Sequence, residues 1–186
     1  TVLSKAIPLE GQHRLSEQAL AGKINLRGNG EDPQFALAIE KTLGIGLPSN
    51  ANSVNSSARK SIFWLGPDEW LVHLPLEETG TTLQAMSEAL AGQHHALTDV
   101  SDYYTVIELA GPLARSVIAS GSPIDTRADR FTPGDCAQTR FGHASILLWM
   151  LDEQPAYALQ VRWSYAQYLY DYLAESIRNA ETLSLL

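Results

Sequence analysis

"IFWLGPDEWLVHLP", residues 62–75, sets Trp64 and Trp70 on either side of the turn formers Gly66, Pro67, Asp68 and Glu69. The flanks "SIFWLG" and "EWLVHLP" are rich in β-branched and aromatic residues, and Gly-Pro-Asp punctuates them. This pattern predicts a tight hairpin that buries its tryptophans, not the lip of a catalytic pocket. Asp is favoured in such a bend because its carboxylate accepts local backbone N–H groups. A general acid or base needs a shifted pKa, and an exposed turn supplies little desolvation to shift it. The bend is therefore read as structural, and the chain is read outward from it.

Upstream, "KINLRG" (23–28) alternates like a half-buried strand. In "NGEDPQFALAIEKTLG", Asp32 and Pro33 suit the N-cap and first position of a helix, and Gly44 suits the residue just past its end. Phe35, Ala38, Ile39 and Leu43 share one face of that helix. Residues 47–58, "LPSNANSVNSSA", are rich in Ser and Asn and predict a mobile loop. Downstream, Leu83, Met86 and Leu90 recur at helical spacing over 78–91, with Gly92 as the stop, and 95–101 returns as a strand. The second half repeats the theme. "TVIELAG" (105–111) is a strand, and Pro112 opens a helix over 112–120. "DCAQTRFG" and "HASILLWML" form two strands joined at Gly142-His143, and 157–164 is another. Ser164 and Gln167 make a capping box before a last helix over 165–180. The fold class is α+β, with two related strand-helix-strand lobes, 1–101 and 102–186, in a single domain over 1–186.

Composition narrows the function. Of 186 residues, 13 are basic and 21 acidic, a formal charge of −8. A surface of that sign repels phosphate backbones, so nucleic acid is not the expected partner. The single cysteine, Cys136, excludes an internal disulfide or a thiolate zinc site built from this chain alone and points to the reducing cytoplasm. The longest apolar run, "ASILLWMLD", falls far short of the ~20 residues that cross a bilayer. The amino end, "TVLSKAIPLEGQHRL", lacks a basic-then-apolar secretory pattern. A soluble, cytoplasmic protein is expected.

A search for chemistry yields no catalytic, cofactor-binding or metal-ligating residue. Asp99 and Asp102, in "TDVSDYY", flank a strand junction beside two tyrosines, and turn capping accounts for them. His94 and His95 are adjacent, so their rings diverge; His73 lies in a strand and His143 in a turn, and none has the spacing of a metal pair. No G-x-S-x-G elbow occurs, and Ser120 and Ser122 sit where a helix ends. Cys136 has no neighbouring Lys or His to activate it. "GNG" (28–30) is half of a dinucleotide fingerprint, and the Asp-Pro that opens the next helix opposes a phosphate. The last helix sets Tyr165, Leu169, Tyr172 and Leu173 on an inward face, with Tyr170 off it, near Ile177. "ETLSLL" then closes the chain with three leucines. Tyr170, Ile177, Leu183, Leu185 and Leu186 are thus candidate contacts with a partner.

The strings "WLGPDEWLV", "DVSDYYTVIELAGPLARSVIASGSPID", "FTPGDCAQTRFGHASILLW" and "RWSYAQYLYDYL" closely resemble the gamma subunit of heterotetrameric sarcosine oxidase. The likeness covers nearly everything from about residue 60 onward and, more weakly, the part before. It implies a truncated aminomethyltransferase fold, similar to the folate-binding domain of the glycine-cleavage T-protein. It also implies a non-catalytic assembly role beside alpha, beta and delta subunits. Such a complex oxidises sarcosine to glycine and hydrogen peroxide, and the one-carbon unit leaves as formaldehyde or 5,10-methylenetetrahydrofolate. By the same resemblance FAD, FMN, NAD and tetrahydrofolate belong to the partner subunits. The iron–sulfur maintenance branch of the wider fold carries a Lys-Gly-Cys-x-x-Gly-Gln run; "PGDCAQTRFG" has Cys136 and Gln138 but neither the Lys nor the spacing. Two alternatives stand beside this reading: a small tetrahydrofolate-binding C1-transfer domain using Asp99 or Asp102, and a free-standing protein-binding module.

Overall fold

A computed structural model describes Leu3 and residues 11–184. In chain order its elements are β1 (Arg14–Glu17), β2 (Gly22–Gly28), α1 (Pro33–Leu43), β3 (Val54–Ser57), β4 (Lys60–Gly66), β5 (Glu69–Leu74), α2 (Thr79–Ala89), β6 (His95–Asp99), β7 (Tyr104–Ala110), α3 (Ala114–Gly121), β8 (Cys136–Phe141), β9 (Ala144–Asp152), β10 (Ala156–Arg162) and α4 (Ala166–Ser184). Two compact units result. One is Leu20–Asp102; the other joins Thr1–Ala19 to Tyr103–Leu186.

The Leu20–Asp102 unit is a five-stranded antiparallel sheet in the order β3-β4-β5-β2-β6. Strands β4 and β5 are the expected hairpin. Trp64 pairs with Trp70, and a bulge before Gly66 tightens the bend. Trp70 is 3% exposed and its indole N–H donates to the Pro48 carbonyl at 3.2 Å, whereas Trp64 is half-buried. Helix α1 starts and stops where its residues require. The Asp32 carboxylate accepts from the Gln34 N–H at 2.9 Å, Pro33 follows, and Gly44 ends the helix at φ 74°. Phe35, Ile39 and Leu43 are buried against Ile24, Leu26, Trp70 and Val72.

The glycines of "GNG" have a packing role here. A Cβ on Gly28 would lie 2.3 Å from the Phe35 ring, and one on Gly30 would lie 2.6 Å from the Trp70 ring. The expected mobile loop over 47–58 is corrected. Its second half is β3, which pairs with β4 from Val54↔Phe63 to Ser57↔Lys60. The first half is tied down through Pro48 to Trp70, and Gly46 accepts from the Asn55 side chain at 2.9 Å. An edge strand with one wet face needs few apolar residues, so its Ser and Asn content mimics a loop.

The second unit has the sheet order β1-β7-β10-β9-β8, again antiparallel throughout. Ile107, Leu109, Leu148, Tyr157 and Leu159 face Val117 and Ile118 of α3 and Leu169 and Leu173 of α4. Set side by side, the two units match strand for strand. β7-α3-β8-β9-β10-α4 repeats β2-α1-β3-β4-β5-α2, and in each sheet the third strand of the hairpin series pairs with the first strand of the unit. Only the fifth strand differs in origin: β6 follows α2, while β1 arrives from the amino end. The lobe expected over 1–101 is therefore corrected. Arg14↔Ala110 through Glu17↔Ile107 pair β1 with β7, so residues up to Ala19 join the second unit. Four residues of strand are too short for alternation to reveal.

Two local expectations also change. Helix α3 begins at Ala114, after a turn in which Gly111 has φ 128°. Ser164 lies inside a 3-10 turn over 163–165, and the Gln167 amide donates to Asp171 at 2.9 Å instead of serving a capping box.

Candidate functional site

Each sequence-level candidate has a structural occupation. Asp68 is exposed in the hairpin bend, where Arg27 donates to it at 3.2 Å and lies 3.8 Å from Glu69. The Asp99 carboxylate accepts from the Ser101 N–H at 2.9 Å and from the Ser101 hydroxyl at 2.5 Å. This Asx-type turn closes the end of β6. Ser120 donates to the Val117 carbonyl at 2.7 Å, and Cys136 is 1% exposed within β8. The His73 ring stands edge-on to Phe63 at 4.8 Å, His95 meets the Gln93 carbonyl at 2.9 Å, and His143 is exposed beside Tyr168. Among the described residues no three His, Cys, Asp or Glu side chains are placed to hold a metal ion. No helix among them is long and apolar enough to cross a membrane.

Lys23 is the residue that sequence reasoning missed. Its place at the head of an alternating strand reads as outward and wet, yet it is 1% exposed. Its backbone N–H donates to the Ser101 hydroxyl at 2.9 Å, its carbonyl accepts from Val100 at 2.9 Å, and its ammonium donates to the Ala21 carbonyl at 3.0 Å. Burial pushes the amine down to about 8, against the opposing pull of Asp102 and Asp99. A partly neutral amine is a competent nucleophile, but a side chain this enclosed offers a carbonyl substrate no approach. Its visible work is to join β2 to the Asp99–Ser101 turn. His13 is likewise 4% exposed, with its Nε2 3.8 Å from Glu181.

The proposed contact face of the last helix divides. Tyr170 is 5% exposed and Ile177 3%, and the Tyr170 hydroxyl donates to the Leu15 carbonyl at 3.3 Å. Both belong to this unit's own core, which corrects the reading of Tyr170 as lying off the inward face. The physical reason is β1. Its strand lies under α4 beside β7 and widens the apolar stripe that the helix covers. Leu183, in contrast, is 72% exposed at the end of a groove of about 520 Å³ between α3 and α4, lined also by Leu113, Ser116, Tyr172 and Asn179. Leu185 and Leu186 lie outside the described residues.

Comparison with known proteins agrees with this architecture. The sequence profile described as "SoxG: Sarcosine oxidase, gamma subunit family" matches residues 27–179. The sarcosine oxidase subunit gamma of an Arthrobacter species is 32% identical over 146 residues, 78% of this chain and 70% of that one. A chain in the structure of heterotetrameric sarcosine oxidase from Corynebacterium sp. U-96, in complex with pyrrole 2-carboxylate, superposes with a TM-score of 0.82 at 23% identity. The match covers 92% of this chain and 88% of that one. The glycine cleavage system aminomethyltransferase T from Bartonella henselae shares the fold at a TM-score of 0.60 and 11% identity, 86% of this chain lying on 44% of that one. The α+β fold, repeated in two units, is thus shared with part of the aminomethyltransferase T chain, and the chain belongs to the sarcosine oxidase gamma subunit family.

Proposed function

We propose that this chain is the non-catalytic, assembling subunit of a cytoplasmic, flavin-dependent heterotetrameric sarcosine oxidase. In that complex, alpha, beta and delta subunits carry FAD, FMN, NAD and tetrahydrofolate. Together they oxidise sarcosine to glycine and hydrogen peroxide and pass on the one-carbon unit as formaldehyde or 5,10-methylenetetrahydrofolate. The observation that carries the proposal is the family match over residues 27–179. The side chains support the non-catalytic part. Asp99, which a folate-handling site would recruit, has one carboxylate oxygen taken by both donors of Ser101. Asp68 is wet and paired with Arg27, and Lys23 is sealed. The lone, buried Cys136 suits a reducing compartment.

Co-expression with the partner subunits, followed by capture through a tag on this chain, tests the reading. The expected product is a yellow four-subunit complex with sarcosine-dependent peroxide formation, while the chain alone has neither turnover nor retained flavin. Sarcosine turnover by the isolated chain, or tetrahydrofolate binding by it that Asp102→Asn abolishes, refutes the non-catalytic role.

A further inference from the structure

Most guanidinium groups of this acidic chain are neutralised within it. Arg14, Arg27, Arg59, Arg127, Arg130 and Arg178 each lie against a carboxylate. Arg115 donates to the Thr126 carbonyl and sits 5.9 Å from the centre of the Tyr157 ring. Arg140 and Arg162 are different: both are exposed, and neither has a carboxylate partner among the described residues.

The sheet brings these two together. Arg140 pairs with Ser145 across β8 and β9, and Arg162 pairs with Tyr104 across β10 and β7. Val161 lies opposite Ile146, so one step further along the antiparallel register sets Arg162 across from Ser145. Arg140, Ser145, Arg162 and Tyr104 therefore form one row on one face. With strands ~4.8 Å apart, the two arginine Cα atoms stand about 10 Å apart. The Arg162 guanidinium lies 5.1 Å from the centre of the Tyr103 ring, and Tyr103 stands edge-on to Tyr104 at 4.7 Å. A cation–π contact of this kind holds the guanidinium beside the ring without calling on a carboxylate of this chain. Tyr103 is 47% exposed and Trp163, next to Arg162, 43%.

A charge on an edge strand can serve simply to block strand addition, which would account for Arg140 on β8. It does not account for Arg162, because β10 is the middle strand of its sheet. An exposed Tyr among exposed Arg side chains has the composition of an interface hot spot. We propose that this end of the sheet docks an acidic, extended segment of a partner subunit, with two carboxylates on the two arginines and an apolar side chain on Tyr103. Carboxylates two or three residues apart on an extended chain are separated by roughly 7–10 Å, which the two arginine side chains span. The exposed aromatic area favours a polypeptide over a small anion, which would leave it unused.

This inference rests on the gamma-subunit reading. Its test measures assembly of the tagged chain with its partner subunits at increasing salt, for the wild type, Arg140→Glu/Arg162→Glu, Tyr103→Ala and the control Arg59→Glu. The double reversal should weaken assembly by about a hundredfold and flatten its salt dependence, with an unchanged melting temperature. Tyr103→Ala should weaken assembly by about tenfold, and Arg59→Glu should leave it unaltered. Assembly of the double variant at wild-type affinity and salt slope overturns the inference while leaving the subunit assignment standing. Inorganic phosphate that blocks assembly at low millimolar concentration overturns it in favour of a small-anion site. A wild-type chain that captures no partner subunit removes the assignment and the docking surface together.

Discussion

Lys23→Met should stabilise the protein at neutral pH and lose that advantage in alkali. The folded amine titrates at about 8, against an ordinary value of 10.5. A tenfold change in proton affinity corresponds to about 1.4 kcal/mol, so holding the charged form in the fold costs up to about 3 kcal/mol below pH 8. Because the folded value is the lower one, the unfolded chain binds more protons between pH 8 and 10.5, and wild-type stability rises through that window by the same amount. Methionine keeps the length of the side chain and removes the charge. It also removes the hydrogen bond to the Ala21 carbonyl, which contributes about 1 kcal/mol. The variant should therefore be about 2 kcal/mol more stable than wild type at pH 7 and about 1 kcal/mol less stable near pH 10.5. Urea unfolding of both proteins at several pH values, with equal m-values, reads the difference and cancels the other titrating groups. A variant that is less stable at pH 7, by an amount that does not change with pH, refutes the argument that burial of the charge dominates at this position.

Gly30→Ala forces a methyl group to within 2.6 Å of the Trp70 ring and should destabilise by about 1–3 kcal/mol through overpacking, read as a lower melting temperature. Trp70→Ala should cost about 3–5 kcal/mol and Trp64→Ala clearly less, because only the former is fully enclosed; denaturant midpoints rank them. Tyr170→Phe should lower stability by about 1 kcal/mol while leaving partner affinity unchanged, since its hydroxyl serves the Leu15 carbonyl. Leu183→Asp should do the reverse, leaving the melting temperature within about 0.5 kcal/mol of wild type and weakening assembly with the partner subunits.

The helix α1 was legible because three separate signals agree on it: Asp32-Pro33 at its start, Gly44 at its end, and an apolar face at helical spacing. The hairpin was legible because its strands are aromatic and its bend is dense in turn formers. β3 was not, because an edge strand hydrogen-bonds on one side, its two serines are exposed, and its Asn55 is spent on the Gly46 carbonyl. β1 was hidden by length and by the remoteness of its partner. Once β1 is known, the burial of Tyr170 and Ile177 follows, since a helix packed on a wider sheet covers a wider stripe. Lys23 escaped because polarity at a strand head is normally a sign of exposure. Leu183 was identifiable as a protruding apolar group because no strand or helix follows to cover it among the described residues.

The two origins of the fifth strand bear on how the chain emerges from a ribosome. Everything in Leu20–Asp102 is contiguous, so that unit's sheet can close as soon as β6 is translated. Glu17 must await Ile107, 90 residues later. At synthesis rates of about 5–20 residues per second, β1 spends roughly 5–18 s as a nascent strand without its neighbour. Of the described strands β1 is thus made first, yet it cannot pair until the whole of Leu20–Asp102 has been completed.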